Sequence, residues 1–422
     1  MSLRVSPIGK VKTLVSRYGL RAGLQNAIAH WARSRLSAPD DMLQEYGWVL
    51  NEDRPPDLAA PKAGPLRINW IVPSISKGSG GLRNIFRIIQ YLEQWGHKNQ
   101  IYTLGAWATG GKGVQEFVQK SYFPIQAPIE QFTGRVADSD ALVASNWMTA
   151  YAVRALANTA QKFYLVQDLE HNFHAAGSLA EFAKETYRWG FQGITLGNWI
   201  AEVLEGEFGM PSSPFGFSYD RDVYAFDGDR RSGPRKRALF YARPNTERRG
   251  FELGVLALSL LAKRRPDVEV VLVGFPPRKM RFPFSAILPG IVSPAELAAW
   301  YHKCDIALVL SHTNVSMLPL ELMASGCAVV SNTGRNVEWL LGDEVCQLAH
   351  PNPQSLAVAM LELLEDDRLR LKKIAAGIAF AEATDWASEV RKIEAAFYRG
   401  LNLLRLNDDP LSYSKPQFAQ GS

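Results

Sequence analysis

Short apolar runs alternate with amphipathic stretches over most of this chain. From Leu66 onward, each apolar run is followed by a segment whose apolar residues recur every three to four positions. This alternation predicts strands that are buried on both faces and joined by helices, which is typical of a parallel, doubly wound sheet. The predicted strands of this first series are 67–73, 100–104, 141–145, 163–167 and 193–196, and the predicted helices are 81–95, 147–158, 178–190 and 199–208.

A second series of the same kind follows a polar interruption. Pro211 and Pro214, together with a run rich in Asp, Arg and Gly at 220–236, break the first series. In the second series, the Ser-Pro-Ala-Glu segment at 293–296 is a capping box with proline at the first helical position, which defines a helix start. The predicted strands are 237–242, 268–274, 305–310 and 327–331, and the predicted helices are 250–264, 294–303, 319–325, 335–341 and 353–364.

The two series predict an α/β fold class with two doubly wound, Rossmann-like domains facing a cleft. Such a cleft suits an enzyme that binds one large substrate on each domain. Residues 37–65 are rich in Pro, Asp and Ala and predict a linker, and a last long helix is predicted at about 385–404. The predicted organisation is a helical extension and linker at 1–60, an acceptor domain at 61–218, a nucleotide-sugar domain at 219–384, and a crossover helix with a tail at 385–422.

Charge is distributed unevenly along the chain. The 422 residues carry a net charge of +5, but residues 1–39 alone carry +7, so the rest is slightly acidic. Apolar residues at helical spacing in this basic segment indicate an amphipathic helix, which can lie on an anionic membrane surface through residues 1–36 or dock on its own domain. Because the remainder of the chain is acidic, no nucleic-acid partner is expected.

Other compositional features indicate a cytoplasmic location. Cys304, Cys327 and Cys346 form no C-x-x-C pair, which favours a reducing compartment and argues against a zinc site. No apolar run reaches the length of about 18 residues that a membrane-spanning helix needs. The N-terminus also lacks the apolar core of a secretory signal. We therefore expect a cytoplasmic protein, peripheral to the inner membrane face if the basic segment binds lipid.

The first candidate for chemistry is Glu321. It falls in the first turn of a predicted helix, after the strand 305–310 and a polar loop. In open α/β sheets, ligands bind beyond the carboxyl ends of strands. A carboxylate there can accept hydrogen bonds from vicinal hydroxyls, and nearby backbone N–H groups favour an anion. Burying a lone carboxylate is costly, so Glu321 requires a partner in the protein or a ligand.

A pair of arginines follows another strand. Arg243 and Arg249 flank a turn at the carboxyl end of strand 237–242, where two guanidinium groups can clamp a diphosphate. Arg248 either shares this role or faces solvent. The alternative for the pair is a set of surface arginines beside Glu247.

Two further segments follow strands of the first domain. Gly80 and Gly81 precede a helix and allow close backbone approach to a ligand, or they form a flexible loop with a helix cap. The third glycine of a dinucleotide fingerprint is absent, which disfavours an NAD-dependent oxidoreductase. The segment after strand 163–167 carries four ionisable candidates for acceptor binding or proton transfer, which spacing alone does not rank: Asp168, Glu170, His171 and His174.

Asp138 and Asp140 are a candidate metal-binding pair, since two nearby carboxylates can hold a divalent metal. They precede an apolar strand instead of following one, so a solvated turn is the preferred interpretation. No metal and no cofactor are therefore expected.

Taken together, these motifs resemble a nucleotide-sugar-dependent glycosyltransferase of the GT-B fold, in the large retaining group called family 4 or group 1. The resemblance runs from about residue 67 to 365. In the first domain, the motifs are the glycine loop at Gly80-Gly81 and the Gly96-His97 turn. In the second domain, Arg243 and Arg249 match the family's diphosphate-binding pair, with Arg249 in place of the usual lysine. Glu321 matches the second glutamate of the family's E-x7-E motif, and residues 326–330 match its Gly-x-x-Val-Val ending.

One departure bears on mechanism. The first glutamate of the motif, which the family assigns to the sugar, should lie eight residues before Glu321, and Thr313 stands there. The loop 311–316 is then expected to contact the sugar with neutral groups, as would fit a 6-deoxy sugar. The resemblance implies a donor-binding set of Arg243, Arg249, Thr313, Asn314, Leu318 and Glu321.

The segments 167–178 and 318–321 are also similar to a narrower subgroup, the bacterial rhamnosyltransferases that use dTDP-L-rhamnose to build cell-surface glycans. The sequence thus predicts a metal-independent hexosyltransferase that acts on a glycan or lipid-linked acceptor. Two alternatives remain open, namely a non-catalytic nucleotide-sugar-binding protein and a sugar-nucleotide epimerase of the same architecture.

Overall fold

The computed structural model describes residues 39–61, 64–105, 113–226, 228, 235–276 and 280–403. The basic segment 1–36 lies outside these residues. The chain divides into two compact units, Met1–Arg54 and Pro55–Ser422.

The described part of the first unit contains a helix, α1 (Pro39–Tyr46), and a 3-10 turn at Gly47–Leu50. The segment predicted as a linker therefore includes a short helix, described from Pro39 onward.

The second unit contains two parallel sheets. The strands are β1 (Arg67–Val72), β2 (Lys98–Thr103), β3 (Ile129–Gln131), β4 (Ser139–Ala144), β5 (Thr159–Val166), β6 (Gln192–Leu196), β7 (Ser212–Phe215), β8 (Arg237–Tyr241), β9 (Glu269–Val273), β10 (Ala286–Gly290), β11 (Ile306–Val309), β12 (Ala328–Asn332) and β13 (Cys346–Ala349). The strand orders are β3-β2-β1-β4-β5-β6-β7 and β10-β9-β8-β11-β12-β13. The predicted fold class, two doubly wound α/β domains, is confirmed.

Helices follow most strands and cover the sheets. They are α2 (Gly80–Gln94), α3 (Gly113–Ser121), α4 (Trp147–Arg154), α5 (Ser178–Glu185), α6 (Asn198–Phe208), α7 (Arg221–Tyr224), α8 (Phe251–Arg264), α9 (Pro294–Lys303), α10 (Leu318–Ala324), α11 (Arg335–Glu338), α12 (Pro353–Glu365), α13 (Asp367–Glu382) and α14 (Trp386–Gly400). The predicted capping box opens α9, where Ser293 N donates to Glu296 Oε2 at 2.8 Å and Glu296 N donates to Ser293 Oγ at 3.3 Å.

The sequence pattern missed the strands at the sheet edges. Within the described residues, β3, β7, β10 and β13 are the outermost strands, and none of them was predicted. Edge strands are short, and one backbone edge makes no ladder hydrogen bonds, so they tolerate residues that interior strands exclude. Pro214 in β7 and Pro289 in β10 show this, since both read as strand breakers in the sequence.

Asp140 corrects a second prediction. The residue was expected in a solvated turn, but it lies in β4 and is buried. Arg67 of the neighbouring strand donates to it from its backbone N at 2.7 Å and from Nη2 at 2.8 Å. Asp140 therefore joins two adjacent strands at the end of the sheet opposite to the cleft.

The last helix, α14, packs on the first domain although it follows the second in sequence. Phe397 contacts the rings of Trp70 and Phe163, with centroids 6.0 and 4.9 Å away. Glu394 Oε1 lies 2.9 Å from Nε2 of His97, whose Nδ1 accepts a hydrogen bond from Leu66 N, just before β1. The imidazole of the Gly-His turn thus fastens α14 to the first sheet.

Candidate functional site

Glu321 lies in the first turn of α10, behind the loop that leaves β11. Burial raises the pKa of its carboxyl to about 7, and the negative charge of Asp220 adds to this rise, while Arg83 and Arg87 oppose it. Arg83 and Arg87 belong to the first domain and Asp220 to the connection between the domains, so Glu321 lies close to charged groups outside its own domain. In the described part of the chain, no residue donates a hydrogen bond to its carboxylate. Burying a carboxylate without a hydrogen-bond partner is costly, and a ligand that donates hydrogen bonds to Glu321 would remove this cost.

Asp220 sits opposite Glu321 and is neutralised by two arginines of α2. Arg83 Nη2 lies 2.6 Å from one carboxylate oxygen and Arg87 Nη2 lies 2.5 Å from the other. The Arg87 guanidinium is also within 4.7 Å of the ring centroids of Phe123 and Trp386. Although burial opposes ionisation, the two arginines hold the pKa of Asp220 below its ordinary value. The sequence patterns did not reveal this cluster. The i, i+4 spacing of Arg83 and Arg87, which places them on one face of a helix, is the feature that points to it.

The arginines of the second domain differ in exposure. Arg243, just beyond β8, is exposed, and its guanidinium lies 5.3 Å from the ring centroid of Tyr241. Arg249 is largely enclosed, and its Nη1 donates to Ser311 Oγ at 2.6 Å and to the Asn314 carbonyl at 2.9 Å. Burial lowers the pKa of Arg249 to about 10. Arg249 therefore shapes the loop after β11, whereas Arg243 presents its charge to solvent.

Arg248, between these two, reaches across to the first domain. Its guanidinium carbon lies 4.1 Å from the ring centroid of Phe173, which is partly exposed. Its Nε is 3.9 Å from Asp168 Oδ2, beyond hydrogen-bonding distance, and has no hydrogen-bond partner among the described residues. Arg248 thus contacts the first domain, with its side chain 33% exposed, and its role in binding a diphosphate stays a prediction.

Thr313 and Asn314 bind the first domain. Both are buried; Thr313 Oγ1 donates to Asp168 Oδ2 at 2.7 Å, and the Asn314 backbone N donates to Asp168 Oδ1 at 2.9 Å. Asn314 Nδ2 also donates to the carbonyls of Gln167 at 3.0 Å and Leu196 at 2.9 Å. The two side chains expected to contact a sugar therefore join the two domains in this structure.

A tryptophan completes this junction. Trp339 Nε1 donates to Asn314 Oδ1 at 2.7 Å. The indole lies against Gly197, which has φ +94°, and a Cβ at that glycine would come within 2.7 Å of the ring. Glycine is required here both for its backbone conformation and for the close approach of the two domains.

The glycine loop adjoins the same junction. Ser79 caps α2 by accepting from Leu82 N at 3.3 Å. Gln167 Nε2 donates to the Gly81 carbonyl at 3.1 Å, and a Cβ at Gly81 would lie 3.4 Å from that nitrogen. A Cβ at Gly80 would meet no atom within 4 Å. Gly81 is therefore a packing position, and Gly80 borders open space.

Glu170 is held within its own domain. Its Oε2 accepts from the Trp147 backbone N at 2.5 Å and from the Tyr164 hydroxyl at 2.8 Å. Burial raises the pKa of Glu170 to about 8. The contact with Trp147 N, the first residue of α4, identifies Glu170 as an anchor between the 168–174 loop and that helix.

The two histidines of this loop each have one ring nitrogen without a hydrogen bond. His171 Nδ1 and His174 Nε2 are buried and have no hydrogen-bond partner among the described residues. Burial lowers the pKa of His171. The His174 ring meets Trp147 edge to face at 5.7 Å. Leu318, the last member of the expected donor set, begins α10 and is partly buried.

Substitution of Glu170 by Gln should change the pH dependence of stability. The folded-state pKa of Glu170, about 8, lies above its ordinary value of 4.5, so its contribution to stability is greatest below pH 4.5 and is lost as the pH rises through 8. Between pH 5 and 8.5, the wild type should lose about 3–5 kcal/mol more than Glu170→Gln. Urea unfolding across this pH range measures the free energy of unfolding of both proteins. Parallel pH profiles of stability for wild type and Glu170→Gln would contradict the raised pKa of Glu170.

Two properties of the described residues concern metals and membranes. No group of three or more His, Cys, Asp or Glu side chains is arranged to hold a metal ion within them. The helices in the same residues include none that is long and apolar enough to cross a bilayer.

The chain is similar in sequence to known proteins. The family described as WsaF, C-terminal domain, matches residues 236–361. An O-antigen biosynthesis protein, RfbC from Myxococcus xanthus, is 30% identical over 366 residues, which cover 84% of this chain and 29% of that relative. The chain thus spans less than a third of that protein.

Solved structures are similar over most of the chain. Sucrose-phosphate synthase from Thermosynechococcus elongatus has a TM-score of 0.60 at 13% identity and covers 80% of this chain and 99% of its own. The Anabaena protein HepE in complex with UDP-glucose has a TM-score of 0.59 at 14% identity and covers 80% of this chain and 100% of its own. Together with the two parallel sheets, these similarities establish the GT-B fold of glycosyltransferases.

Proposed function

We propose that this protein is a glycosyltransferase that moves a sugar from a nucleoside-diphosphate donor to a glycan or lipid-linked acceptor in bacterial surface polysaccharide synthesis. The observation that carries the proposal is the Glu321 carboxylate. It is largely buried in the helix that follows β11, lies close to charged groups of the first domain, and receives no hydrogen bond from the described residues. Vicinal hydroxyls, such as those of a ribose, supply the donors that such a group needs.

The diphosphate of the donor is assigned to the turn after β8. Arg243 is exposed there, and its planar guanidinium can form two parallel hydrogen bonds with phosphate oxygens. The positive charge stabilises the negative charge that develops on the departing nucleotide. This is the basis for proposing metal-independent transfer. Arg249 supports the site from behind through Ser311 and the Asn314 carbonyl, with its other nitrogens left for phosphate.

The acceptor is assigned to the first domain. Gly80 borders open space, and His171 and His174 each have a buried ring nitrogen without a hydrogen-bond partner among the described residues. A neutral imidazole nitrogen can accept the proton of an acceptor hydroxyl. Of the four ionisable candidates, the histidines are proposed for this role, because Glu170 is occupied by Trp147 and Tyr164.

The donor sugar and the location of the protein are finer proposals. L-rhamnose delivered by dTDP is favoured by the resemblance of the segments 167–178 and 318–321 to rhamnosyltransferases. The related RfbC is named for O-antigen biosynthesis, and HepE binds UDP-glucose. A cytoplasmic location, with residues 1–36 on an anionic membrane surface, rests on their charge of +7.

Thermal stabilisation by a panel of nucleotide sugars tests the function. A ligand that binds only the folded state raises the melting temperature, so the donor should stand out at millimolar concentration. The panel includes dTDP-L-rhamnose, UDP-glucose and GDP-mannose, each with its nucleoside diphosphate as reference. Incubation of the best ligand with a lipopolysaccharide extract and detection of the released nucleoside diphosphate then follow. No stabilisation by any member refutes the proposal, and stabilisation without release favours a non-catalytic binding protein.

A further inference from the structure

We propose that Asp168 of the first domain supplies the carboxylate that binds the donor sugar, in place of the glutamate that is absent at position 313. The proposal rests on the proposed function and deepens it, because it assigns a sugar-contacting group to the site. It also ranks the ionisable residues of the 168–174 loop, which the sequence left unranked.

Asp168 is built into the loop of the second domain. Thr313 Oγ1 donates to its Oδ2 at 2.7 Å, and Asn314 N donates to its Oδ1 at 2.9 Å. The Asp168 carboxylate is thus hydrogen-bonded to residue 313, the position at which the family's glutamate would stand. The Thr313 hydroxyl makes this hydrogen bond, which an aliphatic side chain could not make.

One carboxylate oxygen has capacity for a ligand. An ionised carboxylate oxygen accepts about two hydrogen bonds. Oδ1 already accepts from Leu169 N at 2.9 Å and from Asn314 N at 2.9 Å. Oδ2 accepts only from Thr313 among the described residues, so a further donor can bind it.

The neighbouring arginine defines what that ligand would be. Arg248 Nε is buried, has no hydrogen-bond partner among the described residues, and lies 3.9 Å from Asp168 Oδ2. This gap is too long for a direct hydrogen bond, and one oxygen atom at about 2.8 Å from each side can bridge it once the Arg248 side chain moves enough to admit it. A hydroxyl fits, because it donates to the carboxylate and accepts from the guanidinium.

The surroundings favour the hydroxyl of a sugar. Phe173 lies beneath the Arg248 guanidinium and is 38% exposed, so it offers an apolar ring beside the polar pair. Sugars present hydroxyls at their edges and C–H groups on their faces, and an aromatic ring next to a donor–acceptor pair is complementary to both. Arg243 and Arg249 follow the same strand as Arg248, so the sugar would lie next to the proposed diphosphate.

The test separates the charge of Asp168 from its structural contacts. Asp168→Asn keeps the shape and can still accept from Asn314 N, whereas Asp168→Ala removes both the carboxylate and its contacts. In the double variant Asp168→Ala, Thr313→Glu, the carboxylate returns on the second domain. Glu202→Gln serves as the control, because it removes an exposed pair with Arg335 across the same two domains.

Transfer kinetics and binding are measured with the donor that the panel identifies. Asp168→Asn should lower kcat/KM for that donor by about 100-fold or more, as loss of a group that binds the reacting sugar does. Its affinity for the nucleoside diphosphate alone should stay within about twofold of wild type, since no sugar is present. The double variant should recover at least about tenfold over Asp168→Ala.

The outcomes distinguish this proposal from the function on which it rests. Wild-type kinetics in Asp168→Asn, or an equal loss of affinity for the nucleoside diphosphate and the nucleotide sugar, would overturn the role of Asp168. Absence of recovery in a folded double variant would do the same. If the wild type itself binds no nucleotide sugar, the proposed function fails, whatever the variants show.

Discussion

Glu321→Ala should bind the nucleotide-sugar donor about 30- to 1,000-fold more weakly than wild type, because it removes two charge-assisted hydrogen bonds worth about 2–4 kcal/mol together. The reason is that the Glu321 carboxylate is largely buried and accepts no hydrogen bond from any described residue. Calorimetric titration measures the change. Glu321→Gln, which keeps the shape and one acceptor, should fall between the two.

The same substitutions should stabilise the unliganded protein at high pH. The folded-state pKa of Glu321, about 7, lies above its ordinary value of 4.5, so ionised Glu321 destabilises the fold increasingly as the pH rises through this window. Glu321→Gln should therefore gain about 1–3 kcal/mol over wild type at pH 8 and nothing below pH 4.5. A gain in stability with a loss of binding marks a functional carboxylate.

Unchanged donor affinity in Glu321→Ala would contradict the assignment of the ribose to this group. A loss of stability in Glu321→Gln at pH 8 would contradict it on separate grounds, since it would show that the carboxylate has a partner within the protein.

Asp220→Ala should destabilise the protein by about 3–5 kcal/mol, because it leaves a buried guanidinium without its counter-ion. Arg87 is 6% exposed and packs between Phe123 and Trp386, so its charge has no access to bulk water. Asp220 also joins α2 to the segment that connects the two sheets. Its removal should lower the urea midpoint without a matching change in m.

A surface pair provides the control for this prediction. Arg335 and Glu202 lie 2.9 Å apart with side chains 69% and 60% exposed. Glu202→Ala should cost less than about 1 kcal/mol, since exposed ion pairs contribute little. Equal effects of Asp220→Ala and Glu202→Ala would show that the cluster around Arg87 is not a buried ionic site.

How much of the fold is predictable depends on where a strand lies in its sheet. Interior strands such as 141–145 and 305–310 are continuous apolar runs, since both faces are covered, and the pattern located them. Edge strands such as β7 and β10 include proline, and β7 also begins with two serines, because these strands pair on one side and are partly exposed. Local periodicity contains little information about such strands.

The position of a proposed site residue was predictable where it depends on a single segment of the chain. Glu321 and Arg243 each follow a strand, so their position at the mouth of a sheet follows from sequence order. The contact of Asp168 with Thr313 joins residues 145 positions apart, and the Arg87 contact with Asp220 joins residues 133 apart. Such pairs depend on the relative placement of two domains, which no local pattern encodes.

The structure also redistributes the roles of the expected donor set. Arg249, expected in the diphosphate clamp, has one nitrogen occupied by Ser311 and the Asn314 carbonyl. Thr313 and Asn314, expected to contact the sugar, bind Asp168. In the donor site that we propose, which also includes Arg243 and Glu321, both domains therefore contribute groups.

The structure of a crystal of the protein soaked with the nucleoside diphosphate of its donor tests most directly the central claim, that Glu321 and Arg243 bind the nucleotide. The predicted result is a ribose within hydrogen-bonding distance of the Glu321 carboxylate and phosphate oxygens on the Arg243 guanidinium. A nucleotide bound elsewhere, with Glu321 paired to a protein group, would contradict the account.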